Sequence, residues 1–367
     1  SVALRRKSCE KRRHMRLLCT PPIAEHWSVE LAALDATVTT LEFDGTVPGD
    51  AGSNWDGAFI SSEAFKLFYA GGRAALQRLY SALAELVRAG RVAWCHLCMS
   101  GLDVPFAFPL MKACHDVGAT LTHCPGVYAA PIAQYCLGHM LSIGRLNEQH
   151  RVNQTARRYE SLLQRDLRLC TVGIVGAGGI GSELARLSKA VGMGTIGWRR
   201  QAAPAPNYDE VLSGKEGLER LLSRSDFVVV AVPCTPATEG LLGAEQLARM
   251  QPSAWLINIA RGRVVDQAAL CAALAAQEQP PAGAVLDVFA VEPLPEDAPL
   301  WSLPNVVITP HDSWRTDEAL RDNHRYFLDN VARRAKGEPL VGVVSEELLA
   351  PALAAVVDAT QGHGRKP

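Results

Sequence analysis

A glycine-rich turn constrains the fold of this chain more than any other feature of its sequence. Gly176, Gly178 and Gly181 have the spacing G-x-G-x-x-G, and the apolar stretch 171–175 before them predicts a buried strand. Apolar side chains recur at helical spacing after the turn, at Ile180, Leu184, Leu187 and Val191. In such a βαβ unit the first glycine allows a tight turn, the second lets a pyrophosphate approach the backbone, and the third lets helix and strand pack closely. The run therefore predicts a dinucleotide site, whereas the same spacing without the strand and helix would be a weak indication.

The length and composition of the chain allow two globular domains. Its 367 residues suffice for two sizeable cores, and no apolar stretch approaches the ~20 residues of a membrane span. Residues 1–16 hold seven Lys or Arg and one acid, which leaves 30 basic and 37 acidic residues in the rest of the chain. We interpret residues 1–14 as a disordered extension, an upstream misread start or a cloning remnant. A targeting peptide and a nucleic-acid contact are weaker alternatives.

Ten cysteines are scattered through the chain without the spacing of a disulfide framework. Such usage suits reduced thiols in a cytoplasmic compartment. The C-x-x-C formed by Cys95 and Cys98 lies in a predicted strand, where positions three apart point to opposite faces. We therefore expect small buried residues here rather than a redox motif, and we expect no metal site.

Strand and helix patterns alternate in two successive sets. The first set predicts strands at 16–20, 36–43, 55–61, 92–98 and 120–124, with helices at 74–88 and 105–116. The second begins with a helix at 131–142 and continues with strands at 171–175, 195–198, 227–232, 254–259, 284–288 and 306–309. Six strands with intervening helices predict a doubly wound parallel sheet. A last helix, 316–336, carries an apolar stripe that must be buried, formed by Leu320, Phe327, Leu328 and Val331.

Three segments in the second half of the chain resemble the D-isomer-specific 2-hydroxyacid dehydrogenase family. They are LINIARGRVVD at 256–266, LDVFAVEP at 286–293 and VVITPH at 306–311. The resemblance extends over residues 15–345 and implies an α/β protein with a Rossmann cofactor domain, 126–311, inserted into a flavodoxin-like substrate domain, 15–125 and 312–344. Residues 345–367 would form a tail. The resemblance also implies a homodimer.

The chemistry of 2-oxo acid reduction explains why three residues of these segments matter. The reaction needs a hydride donor, a proton donor for the carbonyl oxygen and a cation for the carboxylate, and the resemblance assigns the catalytic roles to Arg261, Glu292 and His311. A histidine donates the proton well when a neighbouring carboxylate favours its imidazolium form. A planar guanidinium matches a carboxylate and polarises a carbonyl. Each residue taken singly is more often an ordinary loop or surface residue, so the prediction depends on their joint occurrence.

The resemblance further implies contacts with a cofactor and a substrate. Backbone amides of Ser100 and Gly101 would hold the substrate carboxylate together with Arg261. The cofactor pyrophosphate would lie on the glycine turn, at Gly176, Gly178, Gly179, Ile180 and Gly181. The nicotinamide side would be lined by Pro233, Thr235, Ile259 and Ala260, and Asp287 would reach the carboxamide.

The strand at 195–198 indicates which nicotinamide nucleotide the chain prefers. In NAD-binding proteins an acid at this strand end binds the ribose 2′-hydroxyl, but here the strand ends in Arg199 and Arg200, and no acid follows until Asp209. Two guanidinium groups favour a 2′-phosphate, which predicts a preference for NADP(H). If both arginines are merely solvated, NAD(H) held through its pyrophosphate is the alternative. Asp312 stands where the family usually has an apolar residue, and it either alters the charge environment of His311 or faces solvent.

These features predict a cytoplasmic oxidoreductase that transfers a hydride between NADP(H) and a small 2-oxo or D-2-hydroxy acid, such as glyoxylate or hydroxypyruvate. We expect no nucleic-acid or membrane partner. The alternative is a cofactor-sensing scaffold without significant turnover, because some relatives act as transcriptional corepressors and a fold does not fix a function. The presence of Arg261, Glu292 and His311 favours the enzyme.

Overall fold

The chain folds into two compact units. The computed structural model describes residues 13–49, 52–276, 279–350 and 353. One unit is formed within Ser1–Val127 and Leu320–Pro367, and the other is Tyr128–Ala319. The second division falls after Ala319 rather than at the predicted 311, because the residues that follow His311 hydrogen-bond to Asp287 of the second unit. The first unit thus contains segments from both sides of the second in the sequence.

The first unit is built on a parallel sheet. Its strands in the described part of the chain are β1 (Met15–Cys19), β2 (Ala36–Thr40), β3 (Gly57–Ile60), β4 (Trp94–Leu97) and β5 (Thr120–Thr122). The order β2-β1-β3-β4-β5, with every neighbouring pair parallel, is the flavodoxin-like arrangement. The central strands β3 and β4 are buried along their whole length, as expected of strands covered on both faces.

The second unit is built on a longer parallel sheet. Its strands, within the described residues, are β6 (Thr171–Val175), β7 (Gly194–Trp198), β8 (Glu210–Leu212), β9 (Phe227–Val230), β10 (Trp255–Asn258), β11 (Gly283–Leu286) and β12 (Val306–Ile308). Their order is β12-β11-β10-β9-β6-β7-β8. The order reverses between β6 and β9, and ligands of such doubly wound sheets bind beside this point, outside the carboxyl ends of the strands. The two parallel sheets confirm the predicted α/β class.

The helices connect these strands. In the described residues they are α1 (Pro22–His26), α2 (Ser28–Ala33), α3 (Lys66–Arg88), α4 (Phe108–Val117), α5 (Ala129–Gly144), α6 (Asn147–Thr155), α7 (Gly179–Ala190), α8 (Gly214–Arg224), α9 (Ala244–Leu247), α10 (Gln267–Ala276) and α11 (Asp317–Ala335). None of them combines the length and the apolar character that a membrane crossing requires.

The strand β8 and the helix α6 were not predicted from the sequence, and each has a physical reason for giving no signal. The strand β8 has three residues and lies at the edge of its sheet, so alternation of side chains gives no signal. The helix α6, with the sequence NEQHRVNQT, is polar nearly all round and lacks an apolar stripe. The predicted set of six strands for the second unit was therefore one short.

The last helix packs into the core of the first unit. Phe327 of α11 stacks on Phe59, with ring centroids 4.6 Å apart, and on Trp94, at 5.3 Å. Leu328 and Val331 of the same stripe are also buried there. The predicted helix cap at Thr316 is present, since its hydroxyl accepts the Ala319 amide at 3.2 Å. The apolar stripe thus has the burial that its sequence requires.

The predicted terminal segments lie largely outside the described residues. This applies to residues 1–12, 351, 352 and 354–367. Arg13 and His14, which we had included in the N-terminal extension, hydrogen-bond to Asp56 and Asp35. Of the predicted tail, residues 346–350 are helical.

The C-x-x-C of the sequence lies in the core of the first unit. Both Cys95 and Cys98 are buried and neither forms a disulfide, and burial raises the pKa of the Cys98 thiol well above its usual value. Elsewhere in the described chain, no three His, Cys, Asp or Glu side chains are grouped so that they could hold a metal ion.

Candidate active site

The glycine turn after β6 has the geometry of a phosphate cradle. Gly176 adopts φ +120°, and a Cβ there would meet the Ala231 carbonyl oxygen. Gly181 is buried against the Gly176 carbonyl oxygen, so it too has no room for a side chain. Gly178 and Gly179, by contrast, are exposed, and a Cβ on either would meet nothing within 4 Å. The open glycines lie at the beginning of α7, where unpaired amides favour an anion, so the turn fits a dinucleotide pyrophosphate.

The end of β7 provides basic groups and no acid. Arg199 is half-buried, its Nη2 donates to the Ala203 carbonyl oxygen at 2.6 Å, and its buried Nε has no hydrogen-bond partner among the described residues. Arg200 is exposed. The first acid downstream, Asp209, accepts from the Thr195 amide at 2.8 Å and pairs with Lys189. Asp209 is thereby held near the start of β7, away from the strand end that carries the two arginines.

A histidine–carboxylate pair lies beyond the ends of β11 and β12. His311 Nδ1 donates to Glu292 Oε2 at 2.9 Å, and the other carboxylate oxygen accepts the Phe289 amide at 2.9 Å. Burial acts to raise the pKa of Glu292, but the hydrogen bond and the charge of His311 outweigh it. The Phe289 amide and the Arg261 guanidinium act in the same direction, so the pKa of Glu292 lies below its usual value. The acid is thus held as a carboxylate facing the imidazole.

Arg261 lies in the loop after β10, and tight backbone packing fixes this loop. A Cβ on Gly262 would collide with the backbone of Phe289, which explains the glycine directly after the arginine. The side chain of the buried Asn258 makes two hydrogen bonds to the backbone of the turn. Its Nδ2 donates to the Arg261 carbonyl oxygen, and its Oδ1 accepts the Ala260 amide. Arg261 is half-buried and close enough to Glu292 to act on its ionisation. The structure therefore brings together the three residues predicted to be catalytic.

The other predicted cofactor contacts also follow the carboxyl ends of strands. Pro233 and Thr235 lie in the turn after β9, where the Thr238 hydroxyl accepts the Thr235 amide and donates to the Pro233 carbonyl oxygen. Ile259 and Ala260 are buried directly after β10. Because all these strands are parallel, the turns share one edge of the sheet with the glycine cradle. Their contacts with a cofactor remain predictions.

Asp287 is buried after β11, and its carboxylate is occupied within the protein. It accepts hydrogen bonds from Thr309, Asp312 and Ser313. Its contact with the cofactor carboxamide stays a prediction. Sequence reasoning overlooked Thr309 and Ser313, and also Asn258, because a polar residue at a strand end gives no sign of its partner.

Ser100 and Gly101 belong to the first unit, in the loop that follows β4. The Ser100 hydroxyl donates to the Cys124 carbonyl oxygen at 2.7 Å, and the Ser100 carbonyl oxygen lies 3.0 Å from His123 Nδ1. Partial burial lowers the pKa of His123, so this imidazole is largely neutral near pH 7. These contacts fix the loop at the carboxyl edge of its own sheet. Its role in holding a substrate carboxylate stays a prediction.

Comparisons with known proteins identify the family of this chain. Residues 135–313 match the family model described as D-isomer specific 2-hydroxyacid dehydrogenase, NAD binding domain. The glyoxylate/hydroxypyruvate reductase B of Pectobacterium carotovorum is 35% identical over 249 residues, which cover 65% of this chain and 76% of that protein.

Two solved structures extend the likeness to most of the chain. A D-isomer specific 2-hydroxyacid dehydrogenase family protein from Aeromonas salmonicida has a TM-score of 0.72 and 26% identity, covering 91% of this chain and 99% of its own. A family member from Xanthobacter autotrophicus, in complex with NADPH and MES, has a TM-score of 0.69 and 27% identity, covering 92% and 100%. Together with the glycine cradle and the Arg261–Glu292–His311 group, these matches show that the chain belongs to the D-isomer-specific 2-hydroxyacid dehydrogenases, a family of nicotinamide-dependent oxidoreductases.

Proposed function

We propose that the chain reduces a small 2-oxo acid of the glyoxylate or hydroxypyruvate type to the D-2-hydroxy acid. The observation that carries this proposal is the 2.9 Å pair between His311 and Glu292, with Arg261 near it. Glu292 accepts a hydrogen bond from Nδ1–H of His311. This leaves Nε2 of His311 as the atom that exchanges a proton with the substrate oxygen. The name of the Pectobacterium relative supports the same substrate class.

Each protein group has a distinct role in the proposed reaction. A bound reduced nicotinamide supplies the hydride. The guanidinium of Arg261 binds the substrate carboxylate and polarises the carbonyl, since it offers parallel donors in one plane. His311 protonates the oxygen as negative charge develops there, and Glu292 stabilises the imidazolium before the transfer. In the oxidative direction the same imidazole accepts the proton.

A substrate panel tests this function. The wild-type protein is mixed with NADPH, or with NADH, and with glyoxylate, hydroxypyruvate, pyruvate or a bulkier 2-oxo acid, and loss of the reduced nicotinamide absorbance is followed. We expect turnover with the two small acids first named. Tight cofactor binding without turnover of any 2-oxo acid would contradict the proposal and favour the cofactor-sensing scaffold.

We also propose a preference for NADP(H). The support is the pair Arg199 and Arg200 at the end of β7, and the diversion of Asp209 to Lys189 and Thr195. The Xanthobacter relative holds NADPH. Charge-assisted hydrogen bonds of roughly 1.5–3 kcal/mol each imply a ten- to hundredfold preference at least.

The arginine pair can be tested by a double substitution. Arg199→Ala/Arg200→Ala should lose most of the NADPH preference in kcat/KM, while kcat/KM for NADH changes little. Arg186→Ala on α7 is the matched control, because it removes an exposed arginine of the same unit that pairs with Glu183. Equal kcat/KM for both cofactors in the wild type, or a preference that survives the double substitution, would refute the assignment.

We further propose a homodimer in the cytoplasm. The segment that follows α6 carries exposed apolar side chains. Tyr159, Leu163 and Leu169 are all more than 80% exposed. The segment is held by backbone hydrogen bonds from Arg158 and Arg165, so it offers a fixed surface for a second copy. Tyr159→Ser/Leu163→Ser should convert the dimer to a monomer in sedimentation, whereas Val291→Ser, at another exposed site, should not. A monomeric wild type would contradict this part.

A further inference from the structure

The loop after β12 holds His311 in an unusual backbone conformation. His311 has φ +55°, in the left-handed region that residues other than glycine rarely adopt. Its amide donates to the Thr309 carbonyl oxygen at 3.1 Å, which closes a three-residue turn around Pro310. A strained conformation of this kind persists only where the surrounding contacts determine it. We therefore expect the residues around the histidine to supply such contacts.

The peptide group between His311 and Asp312 is held on both of its polar sides. Its carbonyl oxygen accepts from Nε1 of the Trp314 indole at 2.9 Å. Its N–H donates to Asp287 Oδ1 at 2.9 Å. Because the peptide group is planar, these two hydrogen bonds fix the orientation of the plane and with it the ψ angle of His311. The direction of the imidazole relative to the following residues is thereby fixed as well.

The indole of Trp314 is itself anchored within the second unit. Its ring packs edge to face against Tyr128, with ring centroids 5.2 Å apart and an interplanar angle of 69°. Tyr128 is buried and directly precedes α5. On the loop side, the Ser313 hydroxyl donates to Asp287. The position of the indole is therefore determined by contacts other than its bond to His311, so it can act as a fixed donor.

We infer that Trp314 is a positioning residue for His311: its indole N–H holds the His311 carbonyl oxygen and thereby directs the imidazole toward Glu292 and the substrate oxygen. In this conformation the imidazole lies 2.9 Å from Glu292. The inference rests on the proposed function in so far as His311 is the proton donor. The hydrogen bond from the indole to the backbone does not depend on the reaction.

The substitution Trp314→Phe tests this role, because it removes the Nε1 donor and keeps an aromatic ring against Tyr128. We expect kcat for reduction to fall by roughly tenfold, since a misdirected proton donor loses rate steeply. KM for the 2-oxo acid and Kd for NADPH should change by less than about threefold. In the apo protein, hydrogen exchange of the Asp312 amide should become about two- to tenfold faster, because its peptide loses one of two hydrogen bonds. Wild-type kcat, or unchanged exchange of this amide, would overturn the inference.

A matched control separates this bond from the general loss of an indole. Trp301 belongs to the same unit, is exposed, and donates from Nε1 to the Pro295 carbonyl oxygen at 2.8 Å. Trp301→Phe thus removes the same kind of hydrogen bond at another place, and it should leave kcat and the exchange of the Asp312 amide at their wild-type values. A fall in kcat equal to that of Trp314→Phe would overturn the inference.

A measurement on the wild-type protein covers the case in which Trp314→Phe does not fold. An indole N–H that holds a backbone carbonyl oxygen should exchange at least about tenfold more slowly than that of free tryptophan. Exchange of the Trp314 indole at the rate of free tryptophan, together with an inactive His311→Asn protein, would overturn the inference and leave the proposed function intact. If the indole is protected but His311→Asn keeps full turnover, the proposed function fails, and with it the part of the inference that concerns the reaction.

Discussion

Replacing Glu292 by glutamine should shift the pH dependence of the reaction in a defined direction. Glu292 Oε1 accepts the Phe289 amide and Oε2 accepts from His311 Nδ1, both at 2.9 Å. Glutamine has only one oxygen. If that oxygen stays with Phe289, its NH2 group faces Nδ1, which must then be unprotonated. The substitution therefore disfavours the imidazolium form of His311 while preserving the shape of the site.

The size of the shift follows from the bond that is lost. The pair is partly shielded, since the Glu292 side chain is 18% exposed and that of His311 37%. A hydrogen bond between charged groups contributes about 1.5–3 kcal/mol. At 1.36 kcal/mol per pH unit, this corresponds to a shift of about 1–2 units. Reduction requires the protonated imidazole, so its alkaline limb should move to lower pH by that amount. Oxidation requires the neutral imidazole, so its acid limb should move to lower pH as well.

The assay is a pair of pH–rate profiles for kcat/KM, one with the 2-oxo acid and one with the D-2-hydroxy acid. At a pH above the wild-type alkaline limb, reduction by Glu292→Gln should be about ten- to hundredfold slower, while oxidation at acid pH becomes faster than in the wild type. Glu296→Gln, an exposed acid four positions later, is the control and should leave both profiles in place. Unchanged profiles in Glu292→Gln, or shifts of opposite sign, would refute the pairing.

Three other substitutions test the assignments of Arg261 and of the glycine turn. Arg261→Lys should raise the KM for the 2-oxo acid and lower kcat, because an ammonium group lacks the parallel donors of a guanidinium; steady-state kinetics in which both constants survive would make Arg261 a structural residue. Gly178→Ala should leave the thermal unfolding midpoint unchanged but weaken cofactor binding, since its Cβ meets open space in the protein and would meet the pyrophosphate in the proposed complex. Gly181→Ala should lower the midpoint instead, because its Cβ collides with the Gly176 carbonyl oxygen; the reverse pattern in calorimetry and cofactor titration would show that the cradle is assigned wrongly.

Local signals explain why much of the fold could be predicted. The strand β6, the glycine turn and α7 are adjacent in the sequence, and their burial patterns are strong. The inserted arrangement came from the family resemblance, and the burial of Phe327 of α11 beside Phe59 and Trp94 is consistent with it. The three-residue strand β8 and the polar helix α6 gave no periodic signal, so pattern analysis missed them.

The candidate site also combines residues that local sequence patterns reveal with contacts that they do not reveal. Arg261, Glu292 and His311 were recognisable because each lies in a distinctive local segment. The Tyr135–Thr309 hydrogen bond joins residues 174 positions apart, and no local pattern reports such a contact. The left-handed backbone of His311 and the hydrogen bonds to the Asp287 carboxylate likewise depend on contacts between residues far apart in the sequence.

We propose that His311 transfers the proton during reduction of a 2-oxo acid. The most direct test is single-turnover reduction of glyoxylate by wild type and by His311→Asn, with NADPH bound beforehand. Asparagine tolerates the left-handed backbone of this position, so the loop should be retained. We expect NADPH to bind with nearly unchanged affinity while the reduction step slows by roughly 10²-fold or more. Reduction at the wild-type rate in the His311→Asn protein would contradict it.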